Sequence, residues 1–434
     1  MNFLPNIIFA CILAIGVGYF VKNVKKIIRN IKLGTAINRS DNSSARWKNM
    51  FLIALGQKKM FSRPIPALLH LIVYIGFIII NLELLEIVID GLFGTHRVFS
   101  GLGSLYGFLI GSFEILAVLV LLAVFVFWIR RNVIKVKRFT NSELKGYASK
   151  DANTILYFEV VLMSLFLIMN ATDIHFQQAE NGNIISQYIH PFFNSFSITA
   201  IEIVENIAWW LHIIGILIFL NYLYFSKHLH IILAFPNTFF ADLNAKGKLD
   251  NLASVTNEVK LMLDSTADPF AAPANPESAP VKFGASDVQD LNWVQLLNAY
   301  TCTECGRCTS SCPANNTGKK LSPRKIMMDT RDRLEEVGKN IDANKGIFVP
   351  DGKSLLNDYI TPEELWACTS CNACVEECPV SISPLSIIID MRRYLVMEQS
   401  AAPMELNTVM TNIENNGAPW QYNQQDRLNW ANES

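Results

Sequence analysis

Five apolar runs, near residues 3–21, 66–89, 105–129, 155–171 and 207–229, constrain this chain more than any other feature. Each approaches or exceeds the roughly 18 to 20 apolar residues that cross a hydrocarbon core. Inside lipid no water pairs with backbone N–H and C=O groups, so runs of this kind have to be helical. All five lie before Pro236, while the chain after it mixes charge, Pro, Asn and short apolar patches. The sequence therefore reads as a membrane half and an aqueous half. Its composition, 51% hydrophobic and only 17% charged, agrees with that division. No positive charge precedes the first run and no small-residue cleavage pattern follows it, so an uncleaved anchor is expected rather than a signal peptide.

Charge gives the orientation. Eleven Lys and Arg residues between Lys22 and Arg63 face a single acid, Asp41, and the segment between the third and fourth runs is basic again, from Arg130 to Lys150. The stretch 172–205 has neither Lys nor Arg. By the positive-inside rule the two basic segments are cytoplasmic, which puts the N-terminus outside and, after five spans, the C-terminal half inside. Trp128, Trp209 and Trp210 near span ends suit interfacial anchoring. A net charge of −1 offers nothing to a nucleic acid.

Ionisable residues inside a span cost roughly 2.5 to 3.5 kcal/mol each at the bilayer centre, so His70, His212 and His230 need a reason to be there. Haem ligation supplies one. His212 and His230 are 18 residues apart, so on a continuous helix they share a face, roughly 27 Å apart. His70 begins the second span at the depth of His230, and a neutral imidazole from each would complete a six-coordinate haem b. His228 falls on the opposite side of an ideal helix and is expected to reach water beside Lys227, with ligation in place of His230 as its alternative role. His212 has no histidine in the outer half of the second span; His175, His190 and His96 are its candidate partners, and the haem count stays at one or two. Glu83, Glu86 and Asp90 recur at i, i+3 and i+7 toward the outer end of the second span, either as a proton route or as a water-facing helix end. Glu114 and Glu159 are further intramembrane acids, and Cys11 reads as a small packing residue.

Eight of the nine cysteines form two groups with one spacing, C-x-x-C-x-x-C-x-x-x-C-P: Cys302, Cys305, Cys308, Cys312 before Pro313, and Cys368, Cys371, Cys374, Cys378 before Pro379. This is the bacterial ferredoxin run for two [4Fe-4S] clusters, in which the fourth cysteine of each motif serves the other cluster. One cluster then takes Cys302, Cys305, Cys308 and Cys378, and the other Cys368, Cys371, Cys374 and Cys312. Zinc would ordinarily use separated C-x-x-C pairs, and disulfides do not suit a reducing compartment. Between and after the motifs, residues 323–337, a capped start at Thr361 and residues 384–397 carry helical patterns. The expected fold class is all-α: a five-helix transmembrane bundle at 1–235, a linker at 236–286, a mostly helical dicluster module at 287–401, and a polar tail at 402–434.

The segment with Cys305-Gly306, Ser322-Pro323-Arg324, Trp366 and Arg392-Arg393 resembles the helical ferredoxin domain of heterodisulfide-reductase and anaerobic glycerol-3-phosphate-dehydrogenase iron-sulfur subunits. The first 235 residues resemble the five-span haem b subunit of respiratory nitrate reductase and the related heterodisulfide reductase membrane subunit, through His70, His212, His230 and Phe225-Ser226-Lys227. Where the nitrate reductase subunit has a second histidine, this sequence has Ile80.

The resemblance implies a membrane-bound electron-transfer subunit of a quinone-linked oxidoreductase in a bacterial or archaeal cytoplasmic membrane. It would join a cytoplasmic redox partner to a menaquinone or ubiquinone pool. The implied partners are a CCG-domain heterodisulfide-reductase-like subunit and an electron-transferring flavoprotein. No adjacent cysteines, dinucleotide fingerprint or nucleophile motif occur, so substrate catalysis is expected on another subunit. The competing expectation is a membrane-anchored iron-sulfur sensor without haem.

Overall fold

The computed structural model describes residues 3–179, 181–266 and 282–432. Five helices are long and apolar enough to cross a membrane: α1 (Leu4–Ile31), then, after a short α2 (Ser43–Met50), α3 (Pro64–Phe93), α4 (Ser104–Asn132), α5 (Tyr147–Thr172), and α6 (Ile198–Tyr222), whose span continues to Phe225. Among the described residues no β-strand forms, only two isolated bridges. This is the expected all-α class with five membrane helices.

Local sequence explains the helix ends. α1 and α3 open with proline in the first turn, where its missing N–H costs nothing, and α3 closes on Gly94 at φ +70. Pro64 and Gly94 thus delimit a helix of 30 residues, about 45 Å long. α4 is the central helix, with 44% of its apolar window buried, whereas α1, at 6%, packs on the rim. Cys11 on α1 is exposed, which corrects its expected packing role. Small residues let the helices close up: a Cβ on Gly76 would stand 2.6 Å from Val120, and one on Gly91 2.6 Å from the Phe9 ring. The many large apolar side chains left exposed on these helices are what a lipid-facing surface requires.

The fifth span departs from expectation. Its apolar run predicts a helix continuous to 229, but Ser226 adopts an extended conformation (ψ 146), its Oγ accepts from His228 N at 3.0 Å, and Asp151 Oδ2 accepts from Lys227 N at 3.3 Å. Serine oxygens compete with backbone acceptors in this way and end helices. A new helix, α7, then runs from His230 to Phe239. His212 and His230 therefore stand on two different helices, and the five-turn geometry expected for them does not hold.

The region expected as linker contains the rest of α7 and α8 (Ala253–Leu263). Its Pro- and Ala-rich stretch, 267–280, lies outside the described residues. Structure resumes at 282, and Ala285 is already docked, its N–H donating to Asp390 O at 2.9 Å. The module is built on α9 (Trp293–Thr301), α10 (Pro323–Ala343) and α11 (Pro384–Met397), around a core that includes Leu296, Ile326, Leu334, Ile387 and Met391. The tail forms α12 (Met404–Asn416) and leaves Trp420 and Trp430 exposed.

Module and bundle are joined. Asn30 of α1 donates to Tyr300 OH at 2.9 Å, Arg29 donates to Gly338 O at 3.0 Å, and Lys26 pairs with Asp342 at 2.8 Å. Thr35 N donates to Leu291 O at 2.8 Å and Trp293 N returns a bond to Thr35 O at 3.2 Å. Basic segments that signal topology are thus also docking segments.

Candidate functional site

The two cysteine motifs repeat one backbone path. Cys302 ends α9 in an extended conformation, and Cys312 and Cys378 likewise end short helices, Arg307–Ser311 and Ala373–Glu377. The residues flanking the second cysteine of each motif are left-handed: Glu304 (φ 53) and Gly306 (φ 70) around Cys305, Ser370 (φ 55) and Asn372 (φ 59) around Cys371. Alternation of this kind turns successive N–H groups inward and makes a concavity suited to an anionic group. Ser370 N donates to Cys368 Sγ at 3.4 Å and Ile382 N to Cys378 Sγ at 3.2 Å.

The cysteines gather across the motifs. Cys308 feels the charges of Cys305, Cys302, Cys378 and Cys374, and Cys374 those of Cys368, Cys312 and Cys371, so the sulfurs of the two motifs lie close to one another. Cys302, Cys305, Cys308 and Cys378, with Cys374 of the second motif, line one cavity that also has Met327 and Ile382 on its walls. Burial pushes the Cys302 and Cys374 thiols up to about 12 and Cys378 to about 11. Thiols so placed stay protonated at neutral pH unless a metal holds them as thiolates. Two sets of four sulfurs, each with inward N–H groups, fit iron-sulfur cubanes. Cys371 is exposed, whereas Cys302, Cys312, Cys374 and Cys378 are buried.

Charged side chains fix the set of Cys302, Cys305, Cys308 and Cys378 against the bundle. Arg307, buried between Cys305 and Cys308, donates to Lys59 O (3.0 Å) and Met60 O (3.3 Å). Lys59 Nζ donates to Val375 O at 3.2 Å, and Arg63 reaches Ser310 Oγ at 3.1 Å and Glu377 at 3.3 Å. Fully buried Arg324 donates to Arg138 O (2.7 Å) and pairs with Glu143 (2.8 Å), and Asn237 donates to Val380 O (2.7 Å). Glu304 sits between Lys227 (2.6 Å) and Arg331 (2.9 Å); against the upward push of burial, these two cations hold its carboxyl below the ordinary range. The Arg392 guanidinium lies over the Trp366 ring at 4.9 Å and donates to Leu365 O, which gives both residues of the family-like signature a packing role.

The segment that receives Arg307 leads directly to a histidine. Gln57, buried and left-handed (φ 49), follows a π-helical turn at Phe51–Leu55 and accepts from His70 Nδ1 at 3.1 Å. A strained, non-glycine residue at this point marks a constrained site. Sequence reasoning misses Gln57, because the preceding bend carries no periodic signal. His230 Nδ1 donates to Lys227 O at 3.0 Å. Both imidazoles thereby have Nδ1 engaged and, among the described residues, no hydrogen bond at Nε2, the arrangement of metal-ligating histidines. Their ring centroids are 6.4 Å apart, close to the roughly 6 Å set by two metal–nitrogen bonds of about 2 Å with a ring behind each. The pair fits a bis-histidine haem. Arg307 lies within Coulombic reach of His70. His228, expected in water, is instead packed between Phe219 and His230, each at 5.4 Å, because the break at Ser226 turns it inward.

His212 is different. It is 4% exposed, and its Nδ1 has no hydrogen-bond partner among the described residues. Ile80, Glu83 and Glu159 line the same cavity of about 80 Å³. No imidazole packs against His212 among the described residues. His96 pairs with Asp173 (3.2 Å) and meets His175 edge-on (6.2 Å), while His190 bonds Ala171 O (2.8 Å). The residues around His212 do not fit a second haem.

Five membrane helices carrying a module with paired cubane-type cysteine sets define a membrane-bound iron-sulfur electron-transfer protein. Residues 301–382 match the 4Fe-4S dicluster domain family. The chain is 30% identical to a probable iron-sulfur-binding oxidoreductase, FadF, of Bacillus subtilis, over 99% of this chain and 61% of that protein. It is 26% identical to the EtfAB:quinone oxidoreductase of Syntrophomonas wolfei, over 92% of this chain and 55% of that one. The module also resembles a component of the ferredoxin/F420H2-dependent CoB-CoM heterodisulfide reductase of Methanosarcina acetivorans, 35% identical over 25% of this chain and 52% of that polypeptide. The chain thus spans a little over half the length of the first two relatives. No solved structure matches it.

Proposed function

We propose that this protein carries single electrons between a soluble cytoplasmic redox partner and the quinone pool of a bacterial or archaeal cytoplasmic membrane. Cys302, Cys305, Cys308 and Cys378 hold one [4Fe-4S] cluster, Cys368, Cys371, Cys374 and Cys312 the other, and His70 with His230 hold a haem b. Bound there, these groups supply one-electron redox steps. The observation that carries the reading is the unbroken line of contacts from Cys305 through Arg307, the 57–63 segment and Gln57 to His70.

The line also orders the module. Arg307 and Lys59 fasten the Cys302–Cys378 set to the bundle, while Cys371 is the exposed ligand of the other set. The partner therefore meets the set with the exposed Cys371, and the set fastened to the bundle faces the membrane. A cytoplasmic location is supported by the basic segments that hold the module. The S. wolfei relative, named as an EtfAB:quinone oxidoreductase, supports a flavoprotein donor and a quinone acceptor. A CCG-domain heterodisulfide-reductase-like unit is the other partner class, supported by the likeness to heterodisulfide reductase subunits.

Anaerobically purified protein tests the assignment by its optical and EPR spectra. A haem b spectrum lost in both His70→Ala and His230→Ala, with cluster signals retained, is expected. Clusters without haem in the unaltered protein would overturn the quinone-linked reading and leave the iron-sulfur sensor.

A further inference from the structure

We propose that Glu83 is a proton-exchange residue connecting two cavities of the bundle, so that protons accompanying quinone chemistry enter and leave at the face opposite the cysteine module. The proposal rests on the quinone reading above.

α3 starts beside the module, and its far end borders an outer cavity of about 260 Å³ lined by Phe9, Glu86, Asp90, His96, Asp173 and Trp209. Deeper in the bundle is the cavity of about 80 Å³ with Ile80, Glu159 and His212 on its walls. Glu83 lines both cavities. It is 3% exposed, and its Oε2 has no hydrogen-bond partner.

The neighbouring acids are accounted for by structure. Glu86 accepts from Phe99 N (2.8 Å) and Tyr106 OH (3.1 Å), and Asp90 from Arg97 N (2.7 Å) and Val98 N (3.2 Å). Glu114 accepts from Asn170 (3.0 Å), Ile185 N (2.7 Å) and Ser186 N (3.0 Å). These three close loops and helix crossings. Glu83 keeps a free oxygen, and Glu159, across the inner cavity, makes no hydrogen bond or ion pair among the described residues.

The charged groups that reach Glu83 are Arg97 from the loop after α3, Glu86 on its own helix and Glu114 on α4. Arg97 is committed to Asp173 (2.6 Å), Asn170 (2.9 Å) and Tyr106 (3.1 Å), so it does not bind the Glu83 carboxyl. A carboxyl between two cavities, outside any ion pair, is free to take a proton from one side and give it to the other. The inner cavity is too small for a quinone ring. It has room for water, with Glu83, Glu159 and His212 as polar partners.

The balance is simple. A quinone gains two electrons and two protons to become a quinol, and the reverse reaction releases them. Electrons arrive from the module side, and protons from the outer cavity through Glu83 and the inner water, so the two meet from opposite faces.

The test uses the full, cofactor-loaded protein mixed with menadiol, a quinol without an isoprenoid tail, while the haem band is followed. Glu83→Gln should slow haem reduction about tenfold or more, within the range of a lost proton-transfer group, while Glu83→Asp retains most of the rate. Dithionite-reduced optical and EPR spectra should be the same in all three. Redox-induced infrared spectra should contain a deuterium-sensitive carboxyl band that Glu83→Gln removes. Should that variant fail to fold, Glu159→Gln carries the same rate expectation. A variant rate equal to the unaltered protein's, or a carboxyl band that persists in Glu83→Gln, overturns the assignment. An unaltered protein that menadiol cannot reduce overturns the quinone reading itself, and this proposal with it, an outcome visible before any variant is made.

Discussion

Replacing Glu304 by Gln should loosen the module from the membrane bundle. The Glu304 side chain is 3% exposed and lies 2.6 Å from Lys227, on the bundle side, and 2.9 Å from Arg331, on the module side. Removing one partner of a buried pair costs about 3 to 5 kcal/mol, because the remaining charge is left desolvated. Lys227 retains Asp151 at 3.7 Å and the Ala148 carbonyl at 2.7 Å, and Arg331 retains Asp332 at 3.3 Å. The lower end of the range therefore applies, about 3 kcal/mol, or roughly a 150-fold rise in the opening equilibrium. Hydrogen exchange over α9 and the segment around Ser226 reads that opening directly. The pH dependence has a definite sign. Glu304 titrates below its unfolded value, so its contribution is complete above about 4.3 and is lost as pH falls through the folded value. The variant should lack this acid-dependent component. Unchanged exchange at neutral pH in Glu304→Gln would refute the reasoning.

Gln57→Leu removes the acceptor of His70 Nδ1, and haem affinity should fall by about 10- to 100-fold, read by haem retention through purification. Cys371→Ser alters the exposed ligand of one set and should change one cluster EPR signal while leaving the other. Arg333→Met leaves Asp287 and Asp351 without their buried cation, at 2.8 and 2.6 Å, and should destabilise the module by about 3 kcal/mol in chemical denaturation.

Legibility in the sequence followed the range of the interaction. The cysteine spacing is readable because ligand chemistry imposes it within a dozen residues, and the structure brings the sulfurs of the two motifs together. Apolar runs give all five membrane helices for a similar reason, since backbone satisfaction in lipid is a local demand. Helix periodicity fails at Ser226, where one hydroxyl and the carboxylate of Asp151, 75 residues earlier in the chain, redirect the backbone and turn His228 inward. Gln57 is invisible in the sequence because its role depends on His70 across a bend. The acids of α3 read as one column from their spacing. Only the loops folded over Glu86 and Asp90 separate those two from Glu83.

The most direct test of the electron route is the rate at which menadione reoxidises the pre-reduced clusters, followed by rapid-freeze EPR. Reoxidation should be fast in the unaltered protein and slower by about tenfold or more in His70→Ala, with both clusters still assembled. Equal rates in the two proteins would contradict the route, because electrons would then reach the quinone without passing the His70 and His230 pair.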